Sequence, residues 1–200
     1  MVEIQGYYYA ALVSASKMAK SLGDFEQGYR LSLRAAKFRE AFIKAYWLPD
    51  KQWFAFALDA NGADPRVTSN QGQLLFTGIL NNDPGKVSAI VRRLFAPGMW
   101  TPFGIRTYSS ENRDFNAFSY HLGSIWPHDN WIIAQGLKRL GFWKAYYSVE
   151  NAQIAAARIF HGRIPELYFV ANGKLIKDPE ACVPQGWSSG GLLNFLATER

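Results

Sequence analysis

The chain has 200 residues, of which 48% are hydrophobic and 19% are charged, so its composition fits one globular domain and excludes a disordered chain. The net charge is +6, but the basic residues are scattered at helix spacings, which argues against a nucleic-acid partner. The single cysteine excludes an internal disulfide, and no apolar stretch has membrane-spanning length, so we expect a cytoplasmic protein without a membrane partner.

The first helical hairpin is predicted from the first residues onward. Apolar residues recur on one helical face from Ile4 to Met18, and the pattern stops at about residue 21. Gly23 is typical of a helix C-terminus and Asp24 of the N-cap of the next helix. The second helix is predicted over residues 25 to 46, which makes a hairpin with a tight turn.

The same organisation returns twice further along the chain. Residues 71–80 precede a turn and a helix that continues to about residue 95, with Asp83 as N-cap and Pro84 at its first position. Helices over 124–140 and 143–161 form the third hairpin, and a last helix begins near residue 186. The tight turns recur at about sixty-residue intervals, which is typical of a helical array. The sequence therefore predicts an all-α fold with about three and a half helical hairpins.

Three long links join these hairpins, over about 48–69, 96–122 and 162–185. The stretch FAFALD in the first link is predicted to form a small strand arm. Because the tight turns share one end of the helices, the links must share the other end. Long links in compact domains are usually functional.

The links and the helix starts that follow them hold most of the unusual chemistry of the chain. The stretch SIWPHDN at residues 124–130 places a tryptophan, a histidine and an acid at a helix entry. Aromatic faces stack on sugar rings, and planar amide and guanidinium groups make paired hydrogen bonds to neighbouring hydroxyls. We therefore predict a pocket for a carbohydrate substrate. The predicted ligands in the links and the helix starts after them are Trp100, Arg106, His121, Trp126, His128, Asp129, Gln185 and Trp187.

Several of these motifs resemble a known enzyme family. IQGYYYAAL, TSNQGQLLFTGIL, GIRTYSS, SYHLGSIWPHDN, RIPELY and ACVPQGWSSGG resemble, in this order, the C-terminal half of the glucosidase domain of glycogen-debranching-type enzymes. These amylo-alpha-1,6-glucosidase-like proteins are related to glucoamylases and to glycoside hydrolase family 63. The resemblance implies an (α/α)6 toroid with the active site at one end. The whole chain, residues 1–200, would be the C-terminal portion of this one domain, and hence an incomplete toroid.

The resemblance also implies inverting hydrolysis of an alpha-glucosidic bond by two carboxylates. By position, Glu166 in RIPELY is the general base. The general acid is expected upstream of Met1, so the chain alone is expected to be inactive. Gln5 and Tyr9 are expected to face the substrate if the first helix starts at the active-site end. The expected partner is the missing N-terminal half or a second copy of the chain.

Each assignment has a simpler structural alternative. Glu166 could be a solvated acid after a helix, and Asp129 a carboxylate that stabilises a helix N-terminus. Trp126 and Trp187 could line a core. His121 and His128 have no third ligand at metal-binding spacing, so neither a metal nor another cofactor is expected.

Three other functions compete with the glycosidase. A non-catalytic carbohydrate-binding or scaffold fragment would use the same aromatic residues. A sugar phosphorylase-like relative would have a phosphate site in place of the base. A terpene cyclase or prenyltransferase would need aspartate-rich or zinc motifs, which the sequence does not contain.

Overall fold

The structure, a computed structural model that describes residues 1–198, consists of helices joined in pairs by tight turns. The all-α organisation predicted from periodicity is confirmed, and the helix bounds differ from the predicted ones by only a few residues. The described residues form α1 (Val2–Ser21), α2 (Phe25–Tyr46), α3 (Asn70–Thr77), α4 (Pro84–Leu94), α5 (Pro127–Arg139), α6 (Trp143–Ile159) and α7 (Gly186–Thr198).

The helices form an inner and an outer layer. Helices α1, α3, α5 and α7 lie side by side in chain order and make the inner layer. Helices α2, α4 and α6 each pack against the inner helix that precedes them. Residues 1–198 therefore contain three complete hairpins and one helix of a fourth, as the periodicity predicts. No helix of the described residues is both long and apolar enough to span a membrane.

The tight turns rest on glycines in the left-handed conformation. Gly23, Gly78 and Gly141 have φ values of +86°, +83° and +79°. Asp24 caps α2 as predicted, since its Oδ1 accepts a hydrogen bond of 2.9 Å from the backbone N–H of Gln27. Asp83 occupies the N-cap position of α4 but makes no capping hydrogen bond.

The carboxylate of Asp83 has a different role from the predicted cap. It pairs with Arg39 of α2 and, at 3.2 Å, with Lys86 of α4. It therefore links two outer helices instead of capping one.

The long links contain four small antiparallel sheets of two strands each. The FAFALD segment is divided between two of them, because Phe56 donates its N–H to Asp64 and so starts a new pairing. The strands are β1 (Trp47–Leu48), β2 (Trp53–Phe54), β3 (Ala57–Asp59), β4 (Gly62–Asp64), β5 (Trp100–Thr101), β6 (Gly104–Ile105), β7 (Tyr168–Ala171) and β8 (Lys174–Lys177).

Helix α1 is rotated relative to the predicted apolar face. Ile4 and Met18 were expected inside, but they are 52% and 60% exposed. The helix instead turns Gly6 toward α3, where a Cβ on Gly6 would lie 3.0 Å from Leu74 and Thr77. Close packing of α1 on α3 thus leaves an apolar face of α1 uncovered.

Two fully buried amide side chains fix the links to the inner helices. Gln71, in the first turn of α3, donates to the carbonyls of Phe54 and Arg66 and accepts from Thr68. Asn130, in the first turn of α5, accepts from the N–H of Ile105 and donates to its carbonyl. Buried backbone groups of irregular segments are thereby satisfied.

Replacing Gly136 by alanine should destabilise the protein. A Cβ at this position of α5 would lie 2.6 Å from the backbone of Leu75 and Phe76 in α3, so the two inner helices would have to separate. Overpacking of this kind typically costs about 1–3 kcal/mol. Chemical denaturation of Gly136→Ala and the parent measures the loss.

Gly85→Ala is the matched control, because a Cβ at this helical position meets nothing within 4 Å. Alanine is the better helix former, so Gly85→Ala should leave stability unchanged or raise it slightly. Equal losses in both variants would contradict the close α3–α5 contact.

Candidate active site

A pocket of about 440 Å³ opens at the link end of the inner helices. The starts of α1, α3 and α5 and the links before α3 and α5 form its walls. The described lining residues are Met1, Glu3, Phe56, Arg66, Thr68, Ser69, Asn70, Gln73, Thr107, Tyr108, His121, Leu122, Trp126, His128 and Asp129. Four predicted ligands, namely His121, Trp126, His128 and Asp129, are therefore brought together.

Stacked aromatic rings form one side of the site. His121 stacks on Trp126 with 5.3 Å between ring centroids, and Tyr120 meets the Trp126 ring edge-on at 4.9 Å. The indole N–H of Trp126 donates to the carbonyl of Tyr120 at 3.1 Å. The Trp126 ring is thus held in place at the pocket wall.

A second stack continues from the start of α5 to the start of α7. His128 lies against Trp187 with 5.1 Å between ring centroids, and Trp187 remains 55% exposed. Burial lowers the pKa of His128, and its Nδ1 has no hydrogen-bond partner among the described residues. This histidine is therefore neutral at physiological pH and has an unused polar atom.

Two buried carboxyl groups line the same pocket. Glu3 of α1 and Asp129 of α5 are each only 8% exposed. Burial raises the pKa of Asp129, although the Ser69 and Gln73 side chains oppose the rise. Burial also raises the pKa of Glu3, although a hydrogen bond from Asn70 opposes it.

A chain of hydrogen bonds that ends at Asp129 connects three of the inner helices, α1, α3 and α5. Tyr7 of α1 donates its hydroxyl to Gln73 of α3 at 2.6 Å, and Gln73 donates its amide to Asp129 Oδ1 at 2.6 Å. The second oxygen of each acid, Oε2 of Glu3 and Oδ2 of Asp129, has no partner among residues 1–198.

Glu166 lies beside the aromatic wall, in the link before β7. Its Oε1 accepts a hydrogen bond of 2.6 Å from the hydroxyl of Tyr120. This bond raises the pKa of Tyr120 to about 12, because loss of the phenolic proton beside a carboxylate is unfavourable. The same ring contacts Trp126, so Tyr120 connects the predicted base to the pocket wall.

Five predicted ligands besides Trp187 lie outside this pocket, and three of them, Trp100, Tyr9 and Gln5, have simple structural surroundings. Trp100 stacks on Phe95 at 4.8 Å and packs against the core. Tyr9 lines a different groove, between α1 and α2, because the α1 rotation turns it away. Gln5 only approaches the carbonyl of Met1, at 3.4 Å.

Arg106 and Gln185 have structural partners instead. The guanidinium of Arg106 donates to the carbonyls of Gly123 and Val170, and its partial burial lowers its pKa. It therefore supports the link that carries Tyr120 and His121. The side-chain oxygen of Gln185 accepts from the N–H of Ser188 and so caps the start of α7.

Sequence reasoning missed the carboxyl of Glu3 and the polar face of α3. Ser69, Asn70 and Gln73 follow a long link and share one helical face, which was the available signal. Glu3 gave no comparable signal, because an acid in the first turn of a helix is common.

No group of three or more histidine, cysteine, aspartate or glutamate side chains within the described part of the chain is placed to hold a metal ion. The chemistry that the side chains themselves offer is proton transfer by carboxyl groups and hydrogen bonding to hydroxyls beside aromatic rings.

Comparisons with known proteins identify a family. The model of the mannosylglycerate hydrolase MGH1-like glycoside hydrolase domain matches residues 1–181. Mannosylglycerate hydrolases MGH1 and MGH2 of Selaginella moellendorffii are each 30% identical to the chain over 112 residues. The match covers 54% of this chain but only 22% of each of those proteins.

Solved structures share the fold. The glycoside hydrolase family 63 mannosylglycerate hydrolase from Thermus thermophilus, in complex with glucose, superposes with a TM-score of 0.77 and 18% identity. That match covers 98% of this chain and 47% of the solved one. The (α/α)6-toroid arrangement of helical hairpins is confirmed as the fold, and the family match supports the predicted relation to glycoside hydrolases. Glycogen-debranching specificity stays a prediction.

The two buried carboxyls should make stability depend on pH. A carboxyl whose pKa is raised by folding stabilises the protein fully only while protonated, so its contribution is lost as pH rises from about 4. The free energy of unfolding should therefore be measured for the parent and for the double variant Glu3→Gln/Asp129→Asn between pH 4 and 8. The stability of the double variant relative to the parent should increase as pH rises.

Asp50→Asn, which changes an exposed carboxylate on the 3₁₀ turn after β1, is the control and should leave the pH dependence unaltered. The change with pH is the readout, because the new amides can alter stability by a constant amount at every pH. If the free energies of unfolding of the double variant and the parent changed in parallel with pH, the raised pKa values would be refuted.

Proposed function

The chain belongs to the family of mannosylglycerate hydrolase MGH1-like glycoside hydrolase domains, and on this basis we propose that it acts in the hydrolysis of glycosidic bonds. The observation that carries the proposal is a pocket lined both by unpaired buried polar atoms and by stacked aromatic rings. Glu3, His128 and Asp129 each contribute one such atom to its walls.

Unpaired buried polar atoms are costly to a folded protein. Each typically costs about 1–3 kcal/mol, so a cluster in one pocket needs a compensating function. A sugar offers several hydroxyls, each able to donate and accept, which would satisfy these atoms on binding. The His121–Trp126 stack would supply the apolar face that a sugar ring needs.

Glu166 is the proposed general base. The hydrogen bond from Tyr120 orients the Glu166 carboxyl beside the aromatic wall, where it would take a proton from water. The activated water would then attack the anomeric carbon on the face opposite the leaving group, with inversion of configuration.

The general acid would come from a segment outside this chain. The chain spans about half the length of the solved relative and a smaller share of the curated ones. We propose that the remaining inner helices, supplied by a preceding segment or a partner, complete the toroid. The exposed apolar residues of α1, such as Ile4, would then become buried.

The proposed substrates are alpha-linked hexosides. The motif resemblance favours alpha-glucosidic bonds, including the 1,6 linkages of glycogen-like substrates. The relatives are named as mannosylglycerate hydrolases, which favours a small glycoside instead. Assays with both substrate classes distinguish the two specificities.

Replacing Glu166 by glutamine should abolish most activity of the completed domain. The change preserves shape and removes the base, and general base catalysis typically contributes about two to four powers of ten to the rate. Turnover should therefore fall at least about a hundredfold, as measured by product release from alpha-glucosides and from mannosylglycerate.

The Asp129→Asn variant is the comparison for Glu166→Gln. The amide oxygen of the new asparagine can still accept the hydrogen bond from Gln73. This substitution should cost less activity than Glu166→Gln if Asp129 binds a hydroxyl or stabilises the start of α5. Near-normal turnover of Glu166→Gln, together with an inactive but folded Asp129→Asn, would transfer the role of base to Asp129.

A further inference from the structure

We propose that a second pocket, which shares the lining residue Arg66 with the candidate active site, binds a phosphate group. This anion pocket has a volume of about 420 Å³ and polar walls. Its functional lining is Lys51, Trp53, Arg66, Arg93, Glu111 and Arg113. Nothing in the proposed hydrolytic mechanism uses this site.

Four cationic side chains reach the anion pocket from four separate parts of the chain. Lys51 comes from the 3₁₀ turn after β1, Arg66 from the segment after β4, Arg93 from α4 and Arg113 from the link before α5. Glu111 is the acid that lines the pocket with them. Like charges gathered in one pocket repel one another, and a bound anion would reduce this repulsion.

Ion pairs inside the protein neutralise only half of these cations. Arg66 pairs with Asp64, and Arg93 pairs with Glu111 at 3.3 Å. Lys51 and Arg113 make no ion pair or side-chain hydrogen bond with any other residue in 1–198, and both are exposed. These two cations are therefore available to an incoming ligand.

The segment that carries Arg113 is held in place. The amide of Asn112 donates to the carbonyl of Val67 at 2.8 Å and accepts from its N–H at 3.2 Å. The N–H of Ser109 also donates to this carbonyl, at 3.0 Å. Because this backbone is fixed, the fold itself places Arg113 at the pocket.

A buried donor without an acceptor lies at the same place. Trp53 is 1% exposed and lines the pocket, and its indole N–H has no hydrogen-bond partner among the described residues. A buried donor in this condition is destabilising, and an oxygen-rich ligand would relieve it.

These features favour a phosphate group over a single carboxylate. Phosphate carries more charge and offers more acceptor oxygens, and guanidinium groups bind it in paired geometry. The pocket is also large enough to admit a group attached to the phosphate. Free phosphate and a sugar phosphate share this chemistry, and the binding experiment separates them.

Isothermal titration of the whole chain tests the proposal with three probes, namely inorganic phosphate, glucose 6-phosphate and glucose. Both phosphate probes should bind, and glucose should not bind at this pocket. Tighter binding of glucose 6-phosphate would identify a phosphate ester as the natural ligand, and equal or tighter binding of inorganic phosphate would identify the free ion. The double variant Lys51→Ala/Arg113→Ala should weaken phosphate binding at least about tenfold.

Matched variants separate a specific site from general attraction to a basic protein. Arg30→Ala/Lys37→Ala removes the same charge from exposed positions on α2 and should leave phosphate affinity within about twofold. Lys51→Arg/Arg113→Lys, which restores both charges, should recover most of the affinity. Trp53→Phe, which keeps a ring but removes the N–H, should weaken binding severalfold.

Circular dichroism establishes that each variant is folded before titration. Absence of phosphate binding by the folded parent would overturn the proposal, and so would equal weakening by the α2 variant. Glu166→Gln should bind phosphate like the parent, so the result does not depend on whether the chain is a glycosidase.

Discussion

The fold depends on the satisfaction of buried backbone groups in links that have little regular structure. Gln71 and Asn130 provide this at corresponding places, the first turns of the inner helices α3 and α5. Each is fully buried and makes hydrogen bonds with the backbone of the link that precedes its helix. A Cβ on Gly104 would lie 2.7 Å from the Asn130 oxygen, which explains a glycine there at a φ of +129°. Regular helices can thus support long, irregular segments at one end.

The pocket depends on these anchored links for its shape and charge. Arg106, tied to the carbonyls of Gly123 and Val170, fixes the link that carries Tyr120 and His121. The opposite wall comes from the helices themselves, where Gln73 joins Tyr7 and Asp129. The unpaired carboxyl oxygens between these walls lower stability, and substrate binding would compensate for them. Functional sites commonly retain destabilising groups of this kind.

The arrangement of helices could be predicted because local chemistry determines it. Glycines such as Gly23 and Gly141 end helices in the left-handed conformation, and Asp24 caps α2 through its own side chain. The clustering of His121, Trp126, His128 and Asp129 could also be predicted, because links at the same end of a helical array lie close together. The burial of Glu3 could not be predicted, since it depends on the rotation of α1, which the close contact of Gly6 with α3 determines. Arg106 was predicted as a sugar ligand, and in the structure its guanidinium donates to the backbone carbonyls of Gly123 and Val170. A guanidinium suits a sugar and a backbone carbonyl equally well, and only tertiary structure shows which one it contacts.

The central claim is that this chain contributes the base of an inverting glycosidase. The most direct measurement is the configuration of the sugar first released from an alpha-linked substrate, followed by proton NMR before the anomers equilibrate. The experiment uses the chain together with the segment that is proposed to complete the toroid. We predict that the beta-anomer forms first, because water activated by Glu166 attacks the face opposite the leaving group. Initial formation of the alpha-anomer would mean that a covalent glycosyl-enzyme intermediate forms, and it would contradict the assignment.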